Sequence, residues 1–167
     1  MEPKFIVDAN VGKLARWLRM MGYDALFFNE QDDGKMVKLA LAQQRTIITK
    51  DSEFMKRRAV ASGRVPALLV MGDNPDLQMQ TVLYALHLGN ELKPFTRCLE
   101  CNAELTAREK EKVAESVPPR VYQIQEQYMQ CPACRRIYWH GTHWQAMSRK
   151  LVEFSSSQVQ KAKGANL

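Results

Sequence analysis

Residues 4–24, KFIVDANVGKLARWLRMMGYD, decide the fold of this chain. They begin with a short apolar run, Phe5 to Val7, which predicts a buried strand. An apolar stripe follows at intervals of three and four residues and predicts an amphipathic helix closed by Gly22: Leu14, Trp17, Leu18 and Met21. A strand followed directly by a helix is the first half of a β-α-β unit, so this stretch predicts the start of a parallel sheet.

The same alternation continues to about residue 90. Short runs rich in Ile, Val, Leu and Phe predict three further strands, at residues 25–28, 46–49 and 67–70. Helical patterns lie at residues 36–41, after Asp51, and from Pro75 to Leu88, where Asn74 is a suitable N-cap and Gly89 a suitable stop. Parallel strands need crossover connections, so the order βαβαβαβα predicts an α/β domain with helices on both faces of the sheet.

The four cysteines lie behind this domain in two CxxC pairs, Cys98 with Cys101 and Cys131 with Cys134. Each pair can present two thiolates to one tetrahedral ion, so the sequence predicts a zinc ribbon. The 29 residues between the pairs exceed the usual spacing of about 15–20. We assign the excess to a charged, helix-compatible segment at 106–117, stopped by two prolines before a strand-like segment at 121–128.

The alternative use of a CxxC pair is redox chemistry, which requires one pair at a helix start after a strand. Four thiolates close the coordination shell and leave no position for an activated water, so the zinc should be structural. His140 and His143 follow the last cysteine. We expect them to pack or to face a substrate, because four thiolates already suffice.

Segment 91–95 contains Pro94 and leads into the first cysteine pair, so we place a domain boundary there. This gives an α/β domain over 1–95 and a zinc-ribbon module over 96–154, whose closing helix runs from Thr142 to Phe154. Residues 155–167 are polar, and we expect them to form a disordered tail.

The composition is that of a globular protein, with 46% apolar and 25% charged residues. No stretch approaches the roughly 18 apolar residues of a membrane span, and the N-terminus lacks the plan of a signal peptide. Paired cysteines kept for metal binding fit a reducing compartment, so we expect a cytoplasmic protein. The net charge of +6 suits a polyanionic partner without requiring one.

Several acids follow the predicted strands directly. Asp8, Asp51 and Asp73 come after strands one, three and four, and Asp33 opens the second helix with its neighbour Asp32. Ligands bind at the C-terminal edge of open α/β sheets, so these carboxylates should converge there. Each acid could instead be a turn or N-cap residue. A carboxylate cluster needs a cation, and Mg²⁺ or Mn²⁺ held there would support phosphodiester hydrolysis, so the cluster predicts a nuclease-like site.

Longer motifs make the chain resemble a known family. These are FIVD at 5–8, GKLARWLR at 12–19, GYD at 22–24, TKD at 49–51, RC at 97–98 with Cys101-Asn102, CP at 131–132 with Cys134, and YW at 138–139 with Gly141-Thr142-His143. The combination resembles the Mut7-C RNase domain family, over nearly the whole chain.

The resemblance implies a PIN-like nuclease domain followed by a zinc ribbon, and metal-dependent cleavage of RNA. It places Asp8 and Asp51 on the acidic positions after the first and third strands, and Asp33 on the acid that opens the second helix. Lys35 stands where members of the family often have an acid. Asp73 is a fourth catalytic candidate.

Basic and aromatic residues provide candidate RNA contacts. Lys13, Arg16 and Arg19 recur every three residues on the first helix, opposite its apolar stripe, where they could bind phosphates. In the ribbon, cations alternate with aromatic rings, as in a platform that stacks single-stranded bases: Arg135, Arg136, Trp139 and His143. A solvated helix face and a ring that covers the zinc site are the ordinary readings of the same residues.

Two further hypotheses compete with the ribonuclease. The chain could be a non-catalytic RNA-binding protein that keeps the fold with a degenerate site. It could also be a zinc-ribbon adaptor for a protein partner, which would have no affinity for nucleic acid.

Overall fold

The computed structural model describes residues 2–89 and 92–164 of the chain. Its first part alternates strands and helices in this order: β1 Lys4–Asp8, α1 Lys13–Met20, β2 Asp24–Phe28, α2 Asp33–Gln43, β3 Thr46–Thr49, α3 Ser52–Met55, α4 Arg58–Ala61, β4 Ala67–Leu69 and α5 Pro75–Ala85. A 3₁₀ turn, Ala9–Val11, joins β1 to α1. The second part contains β5 Thr106–Arg108, a 3₁₀ turn at Lys110–Val113, α6 Pro119–Ile124, β6 Tyr128–Gln130, β7 Ile137–Tyr138 and α7 Thr142–Gly164.

The first four strands form one parallel sheet, as the sequence predicted, and the structure gives their order as β2-β1-β3-β4. Alternate residues of β1 point to opposite faces: Phe5 and Val7 enter a core with α1 and α5, while Ile6 enters a core with α2, α3 and α4. Helices therefore cover both faces. This α/β arrangement confirms the fold class expected from the sequence.

Two helices differ from the prediction in their bounds. The helix expected after Asp51 is divided into α3 and α4, and α5 ends at Ala85, short of Leu88. The predicted cap is present, since the Asn74 side chain accepts hydrogen bonds from the backbone amides at the start of α5. Gly22 closes α1 at φ 97°, where a Cβ would lie 2.5 Å from the carbonyl oxygen of Lys93.

The second part is a three-stranded antiparallel sheet, β5-β6-β7, that carries the cysteines. Our prediction of a strand over 121–128 was wrong, because α6 occupies the first half of that segment and β6 begins only at Tyr128. Pro119 sits at the first turn of α6, where its fixed φ and missing N–H favour a helix start. The predicted helix over 106–117 is likewise replaced by β5 and the 3₁₀ turn.

Helix α7 returns the chain to the first sheet. Met147, Leu151 and Phe154 are buried in the same core as Phe5 and Leu18. We predicted that the closing helix would end at Phe154 and that a polar tail would start at 155, but the helix continues to Gly164. Residues 165–167 lie outside the described residues. The antiparallel ribbon is therefore flanked in sequence by two segments that share one core.

Arg19 joins the ribbon to the parallel sheet. Its Nε donates to the carbonyl oxygen of Ala25 at 2.8 Å, and its Nη1 donates to the carbonyl oxygens of Leu99 and Glu100 at 2.9 Å each. The residue is only 6% exposed. We predicted Arg19 as a phosphate contact, with a solvated helix face as the alternative, and the structure corrects both: its guanidinium is buried and donates to three backbone carbonyls.

Asn102 makes a second link between the two parts. Its Oδ1 accepts the backbone N–H of Ala25 at 3.0 Å, and its Nδ2 donates to Oδ1 of Asp24 at 2.7 Å. Asp24 also accepts two hydrogen bonds from Arg45, at 2.6 and 3.0 Å. Burial raises the pKa of Asp24, but the hydrogen bonds from Arg45 and Asn102 outweigh it and leave that pKa lowered. The ionised carboxylate is thus the favoured form between the two parts.

Replacing Arg19 should destabilise the whole chain. In Arg19→Met the buried carbonyls of Ala25, Leu99 and Glu100 lose a charged donor, which we expect to cost about 2–4 kcal/mol. Urea unfolding would measure the loss. Arg16→Met, on the exposed side of the same helix, is the matched control and should change the unfolding free energy by less than about 1 kcal/mol. Equal effects in the two variants would show that the Arg19 contacts contribute nothing.

Candidate active site and metal centre

The four cysteines converge at one point of the ribbon. Ligand atoms of Cys98, Cys101, Cys131 and Cys134 all lie within 4.8 Å of one another. The closest sulfur pairs are Cys98 with Cys134, at 3.5 Å, and Cys101 with Cys131, at 3.3 Å. Tetrahedral Zn–S bonds of about 2.3 Å place sulfurs roughly 3.8 Å apart, so this donor set fits zinc. It is the only such cluster of His, Cys, Asp or Glu within the described residues.

Each CxxC pair lies in the same kind of tight turn. The amide of Asn102 donates to the carbonyl of Cys98, and the amide of Arg135 donates to the carbonyl of Cys131, both at 3.0 Å. Asn102 and Arg135 have positive φ values of 69° and 66°. Because the two turns repeat one geometry, they present four thiols to a shared centre.

Tyr138 supports the buried thiol of Cys98. Its hydroxyl accepts the backbone N–H of Leu99 at 3.2 Å and lies 3.0 Å from Sγ of Cys98, so its proton is available to the sulfur. Burial opposes ionisation of Cys98, but hydrogen bonds from Tyr138 and from the amides of Cys101 and Glu100 lower its pKa to about 6. Desolvation, reinforced by the neighbouring thiols, raises the pKa of Cys101. A bound cation would favour the ionised form of both thiols and so remove the opposition between their pKa shifts.

His140 and His143 are not members of the cysteine cluster. The ring of His140 packs against Phe95, with centroids 4.2 Å apart, and approaches Trp144. His143 is exposed and lines a groove beside the ribbon, and its substrate-facing role stays a prediction.

A second centre lies at the C-terminal edge of the parallel sheet. Asp8, Asp33 and Asp51 line one groove of about 720 Å³, which opens beside the ends of β1, β2 and β3. Asp73 is not among the residues that line this groove. Its side chain is 89% exposed and pairs with Lys50 at 2.7 Å. Three of the four predicted catalytic acids are thus brought to one surface.

The hydroxyl of Thr49 connects two of these acids. It donates to Oδ2 of Asp8 at 2.7 Å and accepts the backbone N–H of Asp51 at 3.1 Å. Asn10 reaches the same hydroxyl through its Nδ2, at 3.4 Å, and accepts the backbone N–H of Lys50 at 3.3 Å. Thr49 is fully buried. The ends of β1 and β3 are therefore fixed relative to each other by side chains, as well as by the sheet.

Two acids that line the groove also cap helices. Asp51 caps α3 by accepting the amide of Glu53 at 2.8 Å, and Asp32 caps α2 by accepting the amide of Lys35 at 2.9 Å. In both hydrogen bonds Oδ1 is the acceptor. Capping therefore leaves Oδ2 of each carboxylate available for other ligands.

The groove is strongly acidic although the chain is basic. Its lining residues include five acids, Asp8, Glu30, Asp32, Asp33 and Asp51, and among the described residues that line it Arg57 is the one cation. Nη2 of Arg57 donates to Asp33 at 2.6 Å. Lys35 pairs with Glu30 at 2.6 Å. Like charges at this density favour a cation or a positively charged partner.

Sequence reasoning missed several of these residues. Thr49 belongs to the TKD motif, but nothing in the sequence shows that its hydroxyl reaches Asp8. Asn10 follows Asp8 by two residues, and this Asp-x-Asn spacing after a strand was an available signal. Arg57 has no local signal, because its partner Asp33 lies 24 residues earlier.

The predicted RNA contacts fall on the other side of α1 and on the ribbon. Lys13 and Arg16 are exposed, and Arg16 pairs with Glu100 at 2.7 Å. Arg135 and Arg136 are exposed and line, with Arg16 and Trp139, a groove of about 510 Å³. His143 and Trp139 line an adjoining groove. Apart from Arg19, the predicted contacts therefore lie on accessible surface.

Comparison with known proteins gives one match. The model of a family described as the Mut7-C RNAse domain matches residues 3–151. No curated protein and no solved structure matches the chain. Separately, none of the described helices is long and apolar enough to cross a membrane.

Replacing one buried cysteine should abolish metal binding. In Cys131→Ser we expect the zinc content, measured by mass spectrometry on protein purified with zinc, to fall from about one ion per chain to less than about 0.2. Ala133→Ser alters the same turn without removing a thiol, and it should keep the metal. Full zinc occupancy in Cys131→Ser would contradict the four-cysteine centre.

Proposed function

The chain belongs to the Mut7-C RNase domain family, and from this premise we propose that it is a metal-dependent ribonuclease that hydrolyses phosphodiester bonds in the acidic groove. The observation that carries the proposal is the arrangement around Thr49. A buried hydroxyl fixes Asp8 and the start of the Asp51 cap at the ends of two adjacent parallel strands. Such fixed carboxylates at a sheet edge are suited to hold a catalytic cation.

We propose Mg²⁺ or Mn²⁺ as that cation, with Asp8, Asp33 and Asp51 as its carboxylate ligands. The chemistry of the donors fits, because hard divalent cations prefer carboxylate and amide oxygens, and the groove has four more acids than bases. No three acids of the described residues have oxygens within 4.8 Å of one another, so the carboxylates would have to draw together around the cation. When bound, the cation would activate water and neutralise the charge that develops on the phosphate. Asp73 would contribute only from outside the groove.

The chain's own residues prepare the site. Thr49 occupies Oδ2 of Asp8, which orients Oδ1 for a ligand. Asn10 buttresses Thr49 and can present its amide to the groove. Arg57 engages Asp33 through Nε and Nη2, so its Nη1 is available to a phosphate oxygen. These groups orient the substrate without changing their own charge.

RNA is the proposed substrate because the matching family is described as an RNAse domain and because exposed basic residues lie on α1, the helix that follows Asp8. Lys13 is the first residue of α1, which follows Asp8 and the 3₁₀ turn at Ala9–Val11. Arg16 lies about one helical turn after Lys13. Lysine and arginine contacts to phosphates are sequence-independent and weaken with salt. The ribbon residues Arg135, Arg136, Trp139 and His143 would extend this attraction.

Zinc in the ribbon would be structural. The four thiols of Cys98, Cys101, Cys131 and Cys134 complete a tetrahedral shell, so no position remains for a reacting water. Reduced thiols persist in a reducing compartment, and we place the protein in the cytoplasm.

A second candidate function is RNA binding without cleavage. Two of the five acids in the groove are already neutralised within the chain, Glu30 by Lys35 and Asp33 by Arg57. A degenerate site would leave the sheet, the ribbon and the basic surface intact. This candidate predicts RNA affinity that does not depend on Mg²⁺ or Mn²⁺.

Amide substitutions in the groove test the proposal. Asp8→Asn and Asp51→Asn keep the shape of the side chains but remove the ligand charge, so cleavage of a labelled single-stranded RNA should fall by about 100-fold or more in each. Asp76→Asn makes the same change at a carboxylate that pairs with Lys150, and its rate should stay within about twofold. Reactions would be run with Mg²⁺, with Mn²⁺ and with EDTA.

Cleavage that persists in both groove variants would refute the acidic-site mechanism. A wild-type protein that binds RNA but never cuts it with either cation would support the second candidate.

A further inference from the structure

A groove of about 760 Å³ lies between the ribbon and the start of α7, on a different surface from the acidic groove. One side is formed by α6, with Arg120 and Ile124, and the other by Trp139, His143 and Trp144. Ile124 is 65% exposed. An apolar surface of this size that nothing in the described chain covers is typical of a ligand site.

The aromatic wall is held in place by packing. Trp144 lies against Phe95, with ring centroids 3.7 Å apart, and near His140, at 5.8 Å. Trp139 lies against Gly141, where an added Cβ would come within 2.8 Å of the indole Nε1. Rings fixed before a ligand arrives lose little conformational entropy when they bind it.

The charged residues that line the groove are all basic. Arg16 and Arg120 line it, and no carboxylate belongs to the described residues that form its walls. The adjoining groove of about 510 Å³ shares Arg16 and Trp139 and adds Arg135 and Arg136. Its acid, Glu100, is paired with Arg16. An apolar aromatic cavity thus continues into a basic channel.

We propose that the groove between α6 and α7 binds unpaired bases of single-stranded RNA, with the phosphate backbone lying along Arg16, Arg135 and Arg136. This proposal rests on the proposed function and specifies its substrate class. Unpaired bases stack on aromatic rings, whereas bases inside a duplex cannot enter a cavity. An acidic peptide would match the arginines but not the aromatic walls.

The position of the groove fits a cleavable strand. Arg16 lies on α1, and the same helix begins one residue after the 3₁₀ turn that follows Asp8. Arg16 follows Asp8 by eight residues, so their Cα atoms lie at most about 29 Å apart, a distance that one RNA strand of several nucleotides can span. Bases held at the ribbon would direct the neighbouring strand toward the acids.

Binding can be measured separately from cleavage in an Asp8→Asn background. Fluorescence anisotropy would follow a labelled single-stranded oligouridylate and a blunt duplex of equal length. Trp144→Ala and Ile124→Asp should each weaken single-strand binding by about tenfold and duplex binding by less than about twofold. Ile124 is exposed, so its variant tests the groove even where loss of Trp144 affects folding.

Matched controls lie on other surfaces. Tyr84→Ala removes an exposed ring on α5, and Arg64→Gln removes an exposed cation before β4. Arg120→Gln should weaken single-strand binding several-fold, while the two controls should leave it unchanged. An oligomer without bases, made of abasic ribose phosphates, should bind the parent protein about tenfold more weakly than the oligouridylate.

Three results would overturn the base-binding proposal. The first is equal loss of single-strand and duplex binding in the groove variants, and the second is equal affinity for the abasic strand. The third would show that the groove holds a protein: the groove variants keep their RNA affinity but lose binding to polyglutamate, a model acidic peptide, or lose self-association. Failure of the proposed function would instead appear as base-dependent binding by the groove in a wild-type protein that does not cleave RNA.

Discussion

The guanidinium of Arg19 is the contact on which the relation between the two parts of this protein depends. It lies between β2 and the first cysteine turn and donates to carbonyls of both. Burial lowers the pKa of Arg19, against which the neighbouring thiols and carboxylates act. A buried arginine can remain charged because its planar guanidinium donates several hydrogen bonds at the same time. The orientation of the four-cysteine cluster relative to α1 follows from this contact.

The parallel sheet supplies a different constraint, which concerns the acids. Neighbouring parallel strands end at the same edge, so residues that are 43 positions apart, Asp8 and Asp51, reach one groove. The sheet alone does not orient their side chains. Thr49 orients the Asp8 side chain, because its buried hydroxyl needs an acceptor, whereas the Asp51 side chain is held by the amide of Glu53. The acidic groove and the aromatic groove therefore have separate supports, one in the sheet edge and one in the ribbon.

Sequence reasoning succeeded where the signal is local. Apolar runs and helical stripes predicted the four parallel strands, and the CxxC spacing predicted that the cysteines converge. It failed where the partner is distant. Arg19 has the periodicity of an exposed residue, but its acceptors at Leu99 and Glu100 are about 80 residues away.

Other differences come from ambiguous local signals. The segment 121–128 has the apolar and β-branched residues of a strand, yet Pro119, two residues before it, favours a helix start, and that helix runs to Ile124. Asp73 follows a strand as Asp8 and Asp51 do, but a turn directs it to Lys50 and away from the groove. Adjacency to a strand end therefore predicts the edge of the sheet, and not the direction of the side chain.

The return of α7 to the first core has a consequence for biosynthesis. Leu18 and Met79 share one cluster with Leu151 and Phe154, so part of the core is completed by residues that a ribosome adds only after the ribbon. Until then, α1 and α5 cover the sheet, but the part of the cluster that α7 contacts stays exposed. Contacts of such long sequence separation form late and slow folding, and they expose the incomplete chain to aggregation. The length of the ribbon determines the delay between synthesis of α5 and synthesis of α7. Zinc binding by the ribbon would shorten the effective loop between these two helices and so lower the entropic cost of docking α7.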